Sequence, residues 1–401
     1  MVQHINLLFL FLTSYFAMSP RDIRGGIGYR YAGFYGSLIK TVLKNSKAEV
    51  FWYSHSDQKL IVISSGKVSI KKKTMLEAIL SAILTTLKKQ KRLIVIIAFP
   101  YAAHPPPVTF GYLFSLMILS LVKIFVPNKI KVIIDDIDPP VEALYAFSEK
   151  EPPVLSVIFN RGIELLTLKL SSIILVHTMS FKLYLAKIYR LRKDKIWIVP
   201  CGALVQYIRY VPPKAKGPIT ILYSGSLMSV KNIDKLISAV EDLRREGLQI
   251  SLVITGSIVD VIPPKWVTHR YVKDYLTYVK DVLEKADICV IPYPNTKLFW
   301  NYTLLTKFVE YMAAGKPVIS TKLKEVSKII KIFNCGLIAN NWDEFKECIR
   351  TLYYNRNLAT ELGRNGRQAA ENTFNYEVIA KEFLNKLIKI LESGEKSEKY
   401  R

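Results

Sequence analysis

Residues 307–320 read KFVEYMAAGKPVIS, a helical pattern that ends at a glycine and continues directly as a strand. The helix is predicted to stop at Gly315, because glycine caps helices readily and Pro317 cannot continue one. The residues that follow, PVIS, favour a strand. An amphipathic helix does not need an acidic residue at position 310, so Glu310 is a candidate functional residue.

The residues before this helix strengthen that interpretation. A strand ending at Pro292 is followed by a loop, and residues 303–306 then form a plausible helix start. Free backbone N–H groups at a helix N-terminus suit a diphosphate, to which Thr306 would add a hydroxyl and Lys307 a cation. Glu310 follows Thr306 by one helical turn and would accept hydrogen bonds from both ribose hydroxyls. The alternative is that Glu310 is a surface residue and MAAG a close-packed helix end.

Further strand ends in the second half carry similar residues. Gly225 and Ser226 end the strand ITILYSG, with Lys231 near the start of the next helix. Gly256 ends the strand QISLVITGS in the same way. Glycine lets a backbone approach a phosphate and lysine neutralises it, although ordinary strand-to-helix turns look the same.

The first half also alternates apolar runs with helical stretches. The predicted strands are INLLFLFL, EVFWYS, KLIVIS, RLIVIIAF, KVIID and SIILVH, with helical patterns at 31–45, 74–90 and 108–125. A proline-rich segment, QYIRYVPPKAKGP, separates the two series. This order predicts an α/β protein of two Rossmann-like doubly wound domains that face a cleft.

Composition limits the classes of partner. Among the 401 residues the formal net charge is +24, and residues 1–205 carry 27 basic and 12 acidic side chains, net +15. Such a surface attracts phosphates of any kind. No helix-turn-helix, zinc finger or RNP-like strand is present, so we expect no nucleic-acid partner. The four cysteines and five histidines show no metal-ligand spacing, and we expect neither a metal nor a cofactor.

Two segments raise the question of a membrane. Residues 5–18 lack a preceding basic stretch and are predicted to be a buried strand rather than a signal peptide. Residues 108–126 contain one charge, and we expect a buried or membrane-surface helix rather than a span. The lysine-rich run SIKKKT (69–74) would suit an anionic membrane surface. The alternative is that these lysines serve only solubility.

Two first-domain loops offer candidates for the acceptor side. Gly26 belongs to GGIGYR (25–30), a loop that could approach donor phosphates or form a simple turn. Asp136 and Asp138 follow the strand KVIID and are candidate catalytic residues that orient or deprotonate an acceptor hydroxyl. They could equally cap the next helix or bind lysines.

These pieces together resemble the family-4-like glycosyltransferases (glycosyl transferases group 1) with the GT-B fold. The resemblance covers about residues 170–390, through ILYSGSLMSVKNIDKLISAV, LVITGS, LEKADICVIPY, KFVEYMAAGKPVIST and CGLIANN. It implies that Glu310 binds the ribose of a nucleotide sugar and that Gly225 and Lys231 contact its diphosphate. This chain departs from the family pattern at Tyr302, where a glutamate is common, at Ser226, usually an arginine, and at Ile137, usually a histidine.

The resemblance also implies a domain organisation. It consists of an acceptor-side domain at 1–205, a linker at 206–218, a nucleotide-sugar-binding domain at 219–372, a helix at 373–392 that crosses back, and a charged tail at 393–401. We expect transfer from a UDP- or GDP-sugar with retention, in the cytoplasm or at its membrane face, to a lipid-linked or other acceptor. A GT-B epimerase and a catalytically silent partner of a transferase are the alternatives.

Overall fold

The computed structural model describes residues 6–398 except 24, 46–47, 65, 99–105, 127–128 and 137. It contains two sheets, one in each half of the chain. Ile137, where the family pattern usually has a histidine, therefore lies outside the described residues.

The first sheet has eight strands in the order β4-β3-β2-β1-β5-β6-β7-β8. Its central strand β1 buries every side chain, which confirms the buried strand predicted within residues 5–18. The strands are β1 (Leu7–Thr13), β2 (Glu49–Ser54), β3 (Lys59–Ser64), β4 (Lys67–Lys72), β5 (Arg92–Ala98), β6 (Ile130–Asp135), β7 (Ile173–Val176) and β8 (Ile196–Ile198).

One edge of this sheet is not parallel, as doubly wound strands would be. β2, β3 and β4 pair antiparallel, whereas the other pairs are parallel. The connections at residues 55–58 and 65–66 are too short for a crossover and permit only hairpins. Part of the lysine-rich run 69–74 thus forms the edge strand β4, a strand that the sequence pattern does not reveal.

Helices cover both faces of the first sheet. α1 (Gly25–Arg30) continues through a π-helical turn (Tyr31–Tyr35) into α2. α3, α4 and α6 pack side by side elsewhere on the domain. The remaining helices are α2 (Gly36–Asn45), α3 (Met75–Lys88), α4 (Pro106–Phe125), α5 (Pro140–Phe147), α6 (Val154–Leu170) and α7 (Met179–Ile188). Within the described part of the chain, no helix is both long and apolar enough to cross a bilayer.

The second sheet has six parallel strands in the order β11-β10-β9-β12-β13-β14. They are β9 (Ile219–Ser224), β10 (Ile250–Thr255), β11 (Thr268–Arg270), β12 (Ile288–Ile291), β13 (Val318–Thr321) and β14 (Gly336–Ala339). The helices are α8 (Ile233–Arg245), α9 (Tyr275–Tyr278), α10 (Leu298–Tyr302), α11 (Thr306–Ala313), α12 (Lys324–Phe333), α13 (Trp342–Tyr354) and α14 (Arg356–Asn372). The opening stretch KFVEYMAAGKPVIS spans α11 and β13.

The last helix, α15 (Tyr376–Glu398), returns to the first domain. Phe383 packs edge-on against Phe34 at 5.3 Å, and Arg92 donates a hydrogen bond to the carbonyl of Leu391 (2.8 Å). The helix continues beyond residue 392, where the sequence predicts a charged tail, because lysine and glutamate favour helix and a single glycine does not stop it.

Candidate nucleotide site

A cavity of about 310 Å³ lies where the carboxyl ends of β9 and β10 meet the N-terminus of α11. Ligands of doubly wound sheets bind at such strand ends. Five of the predicted donor-binding residues line the cavity: Gly225, Gly256, Thr306, Lys307 and Glu310. Gly26 lies in the first turn of α1, and Tyr29 of the same helix reaches the cavity wall.

The backbone conformation and the close packing of neighbouring atoms require glycine at positions 225 and 256. Gly225 has φ +139°, and a Cβ there would lie well under 3.0 Å from Nζ of Lys307. Gly256 has φ +135°, and a Cβ there would collide with the carbonyl oxygen of Gly225. The N–H of Gly225 donates to the carbonyl of Thr255 (2.8 Å). Glycine at both positions therefore brings two strand ends together and leaves room for a lysine.

Lys307 is held by aromatic and polar groups. Its ammonium donates to the hydroxyl of Tyr293 (2.7 Å) and to the carbonyl of Ser224. It also lies 4.5 Å from the ring centroid of Tyr223. Burial holds the pKa of Lys307 well below its usual value, and the nearby Lys231 lowers it further. An anion bound in the cavity would stabilise its charged form.

Lys231 and Ser226 lie beside the cavity, not in its wall. The ammonium of Lys231 donates to Oγ of Ser226 (2.5 Å) and is 5% exposed. Three rings surround it, with centroids 5.3 Å away for Phe147 and 5.9 Å for Tyr293 and Trp300. Burial lowers the pKa of Lys231 to about 8. Two ammonium groups thus converge around Tyr293, which favours a ligand with more than one negative charge.

Glu310 points into the same cavity and is buried. Burial raises its pKa to about 8, and the hydroxyls of Tyr275 and Tyr29 together with the charge of Lys307 oppose this rise. Tyr29 belongs to the first domain and Tyr275 to the second, so the environment of Glu310 is built by both domains. A carboxylate so placed can accept hydrogen bonds from ligand hydroxyls.

Thr306 connects α11 to the first domain. Its hydroxyl donates to Sγ of Cys201 (3.8 Å), and Cys201 lies 3.4 Å from Nδ1 of His177. Burial lowers the pKa of His177 to about 3, so the imidazole is neutral. These contacts assign His177 and Cys201 to the packing of the domain boundary.

The aspartates after β6 have separate environments. Asp135 accepts two hydrogen bonds from Arg30 (3.0 Å each), so this arginine is occupied by a buried ion pair and does not face a ligand. Asp136 is 1% exposed, and burial together with the charge of Asp136 raises the pKa of Glu164 in α6. Asp138 lies near Cys201, on the side of the α11 N-terminus, and burial raises its pKa to about 6. Neither Asp136 nor Asp138 lines the cavity next to Glu310.

Aromatic residues form much of the site without having been predicted. Tyr29, Tyr275 and Tyr278 line the cavity, and Phe147 and Trp300 enclose Lys231. No sequence pattern distinguishes these rings from core residues in a chain with 23 tyrosines and 18 phenylalanines. Only a position shortly after a predicted strand could have assigned some of these aromatic residues to the site.

Tyr302 and the cysteines also have defined positions. Tyr302, which replaces a common family glutamate, packs edge-on against Phe181 and Tyr184 of α7 at 5.8 Å. All four cysteines are free, and three of them are buried. Within the described ranges, no group of three or more His, Cys, Asp and Glu is arranged to hold a metal ion.

Comparison with known proteins identifies similar sequences. Residues 218–355 match the family model described as glycosyl transferases group 1. Spore coat protein SA of Bacillus subtilis (strain 168) is 26% identical over 184 residues, which cover 42% of this chain and 48% of that protein. The chain spans about half the length of the curated relatives that it matches.

Solved structures resemble almost the whole chain. Sucrose-phosphate synthase from Thermosynechococcus elongatus has a TM-score of 0.67 at 15% identity, over 97% of this chain and 100% of that one. The Anabaena protein HepE in complex with UDP has a TM-score of 0.61 at 11% identity, over 96% and 100%. These neighbours confirm the predicted fold of two domains. The chain therefore has the GT-B fold, and its residues 218–355 are similar to the group 1 glycosyl transferases.

Proposed function

We propose that this protein transfers a sugar from a nucleoside-diphosphate sugar to an acceptor hydroxyl, with retention at the anomeric carbon. The observation that carries the proposal is the convergence of Glu310, Lys307, Thr306 and the N-terminus of α11 on one cavity. The fold neighbour HepE, which has been solved with UDP, supports a uridine donor.

The proposed binding mode assigns one role to each group. Glu310 accepts hydrogen bonds from the ribose hydroxyls, and the N–H groups at the start of α11 face the diphosphate. Lys307 and Lys231 supply positive charge, and both pKa values would rise when the anion is bound. The aromatic walls exclude water and strengthen these charge interactions.

In the proposed reaction, the bond from the anomeric carbon to the diphosphate oxygen breaks and a bond to the acceptor oxygen forms. The two lysines and the helix N-terminus stabilise the negative charge that develops on the departing diphosphate. The acceptor proton moves to a nearby base. Asp138 fits this role better than Asp136, because it faces the α11 side and its pKa of about 6 suits a base at neutral pH. We propose that no metal is needed.

The acceptor side belongs to the first domain. Phe147 packs against Trp300 at 4.9 Å, and Tyr275 donates to Tyr29, so contacts between the domains flank the cleft. We propose that an acceptor enters between these contacts and that it is carried on a lipid.

The test is turnover of UDP- and GDP-sugars, followed as release of nucleoside diphosphate with and without a lipid extract, and with a chelator. The proposal predicts release that depends on the extract, survives the chelator and is lost in Asp138→Asn. Conversion of the donor into an epimer without acceptor would favour the epimerase alternative. Tight nucleotide binding without any release in these mixtures would favour a silent partner.

A further inference from the structure

The solvent side of α4 is apolar from Phe114 to Phe125. Five of its side chains are between 50% and 84% exposed: Phe114, Met117, Leu121, Ile124 and Phe125. Their spacing follows the helical period, so they form one stripe, which a surface helix normally fills with charged residues.

Two helices that contact α4 also expose apolar side chains. α3 contacts α4 and exposes Leu76, Leu80, Leu84 and Leu87, each between 41% and 55%. α6 also contacts α4, and its exposed residues include Leu155 (81%) and Ile158 (63%). These exposed side chains of α3, α4 and α6 are termed the apolar face. An apolar patch of this extent marks an interaction surface.

Basic side chains border the apolar face. Lys73 donates a hydrogen bond to Ser81 of α3 (2.8 Å), and Lys88 and Lys169 are exposed at the ends of α3 and α6. The surrounding residues 1–205 carry a net charge of +15. A second copy of this chain would bring equal charges together, whereas anionic headgroups would neutralise them.

The apolar face also reaches the cleft. α6 begins at Val154, shortly after Ser148, whose carbonyl accepts a hydrogen bond from Lys297 of the second domain (3.5 Å). Val154 and Leu155 are 73% and 81% exposed. A surface that covers this end of α6 would therefore lie beside the opening between the domains.

We propose that the apolar face docks on a bilayer that contains anionic lipid, with α4 lying along the interface. Leucine and phenylalanine side chains enter the acyl boundary, and the bordering lysines bind headgroups. A lipid-carried acceptor in that bilayer would reach the cleft past Leu155. This last step rests on the proposed glycosyl transfer, whereas docking itself does not.

Vesicle flotation of the full chain tests the docking. The vesicles contain phosphatidylglycerol and phosphatidylcholine in equal amounts, or phosphatidylcholine alone. Leu155→Glu/Ile158→Glu removes apolar side chains from α6, and Leu121→Glu independently alters α4. The control Ile262→Glu/Ile332→Glu makes the same charge change in the second domain at matched exposures of 82% and 63%.

The native chain and the control should float with the anionic vesicles, and less so at high salt. Both apolar-face variants should bind at least about tenfold more weakly. The proposal is overturned if the native chain does not float, if both variants float like the control, or if sedimentation shows a native dimer that Leu121→Glu dissociates. UDP binding by these variants reports on the donor site separately, so loss of docking with intact UDP binding leaves the transferase proposal standing.

Discussion

The hydroxyl of Tyr275 donates a 3.0 Å hydrogen bond to the hydroxyl of Tyr29, which joins the two domains beside Glu310. The Tyr29 hydroxyl also accepts the N–H of Leu204 (3.2 Å). The ring centroids of the two tyrosines are 5.1 Å apart. The ionisation of Glu310 therefore depends on contacts that both domains supply.

Replacing Tyr275 by phenylalanine should raise the pKa of Glu310 further. The hydroxyl of Tyr275 lowers this pKa in the native protein, and its loss leaves burial less opposed. The pH dependence of the melting temperature measures this, and its alkaline decline should move to higher pH in the variant. Tyr271→Phe, at an exposed tyrosine nearby, is the control. Identical profiles for native protein and Tyr275→Phe would contradict the prediction.

Glu310 should destabilise the free protein at alkaline pH. Its pKa is 4.5 ordinarily and about 8 in the folded chain, so the folded state binds a proton that the unfolded state releases in this interval. The free energy of unfolding therefore falls as the pH rises from 4.5 through 8. Glu310→Gln removes this loss, and at pH 9 it should melt at least about 2 °C above the native protein.

At pH 4 the difference for Glu310→Gln should be much smaller. Glu361→Gln, at an exposed glutamate of α14, should leave the profile unchanged. A native melting temperature that rises between pH 5 and 9 relative to Glu310→Gln would show that the carboxylate is instead stabilised.

Gly225→Ala should reduce stability and displace Lys307. The new methyl group would collide with the ammonium of Lys307, and φ +139° is unfavourable for alanine. We expect a loss of roughly 1–3 kcal/mol in the free energy of unfolding, measured by denaturant titration. Gly217→Ala, at φ +82° with no atom within 4 Å of its Cβ, isolates the backbone contribution. If both variants lose the same free energy of unfolding, the prediction of a collision with Lys307 is wrong.

Lys231→Met should weaken diphosphate binding without lowering the melting temperature of the free protein. Methionine keeps contact with the three surrounding rings but cannot neutralise a phosphate. Calorimetric titration with UDP should give at least about tenfold lower affinity, and native affinity should fall as the pH rises above 8, where Lys231 loses its proton. Lys235→Met on the exposed side of α8 is the control. Unchanged affinity in Lys231→Met would exclude a phosphate role.

The second domain could be predicted well because most of its strands are short and apolar, and β9 and β10 are followed directly by glycine. The structure brings Gly225, Gly256 and Glu310 to one cavity, since parallel strands end on the same side. The contacts of Lys316, in contrast, are not evident from the sequence. In KFVEYMAAGKPVIS it follows the helix cap, and only the structure shows that its ammonium donates to the carbonyls of Val211 (2.6 Å) and Glu284 (2.9 Å).

The first domain was less predictable. The antiparallel edge around β4 is set by loop length, and its residues Val68 and Ile70 are exposed despite their apolar character. The pairing of Arg30 with Asp135 joins positions 105 residues apart, which no local pattern encodes. The apolar face is invisible as well, because the 108–126 pattern is nearly uniform and does not indicate which side meets solvent.

The most direct test of the donor site is calorimetric titration with UDP and GDP at pH 7.5 in low salt. One of the two nucleotides should bind the native chain, and Glu310→Ala should lose at least about tenfold in affinity, since two ribose hydrogen bonds are removed. Glu361→Ala should bind like the native chain. If neither nucleotide binds, or if Glu310→Ala binds as tightly as the native protein, the cavity at Glu310 is not the nucleotide site.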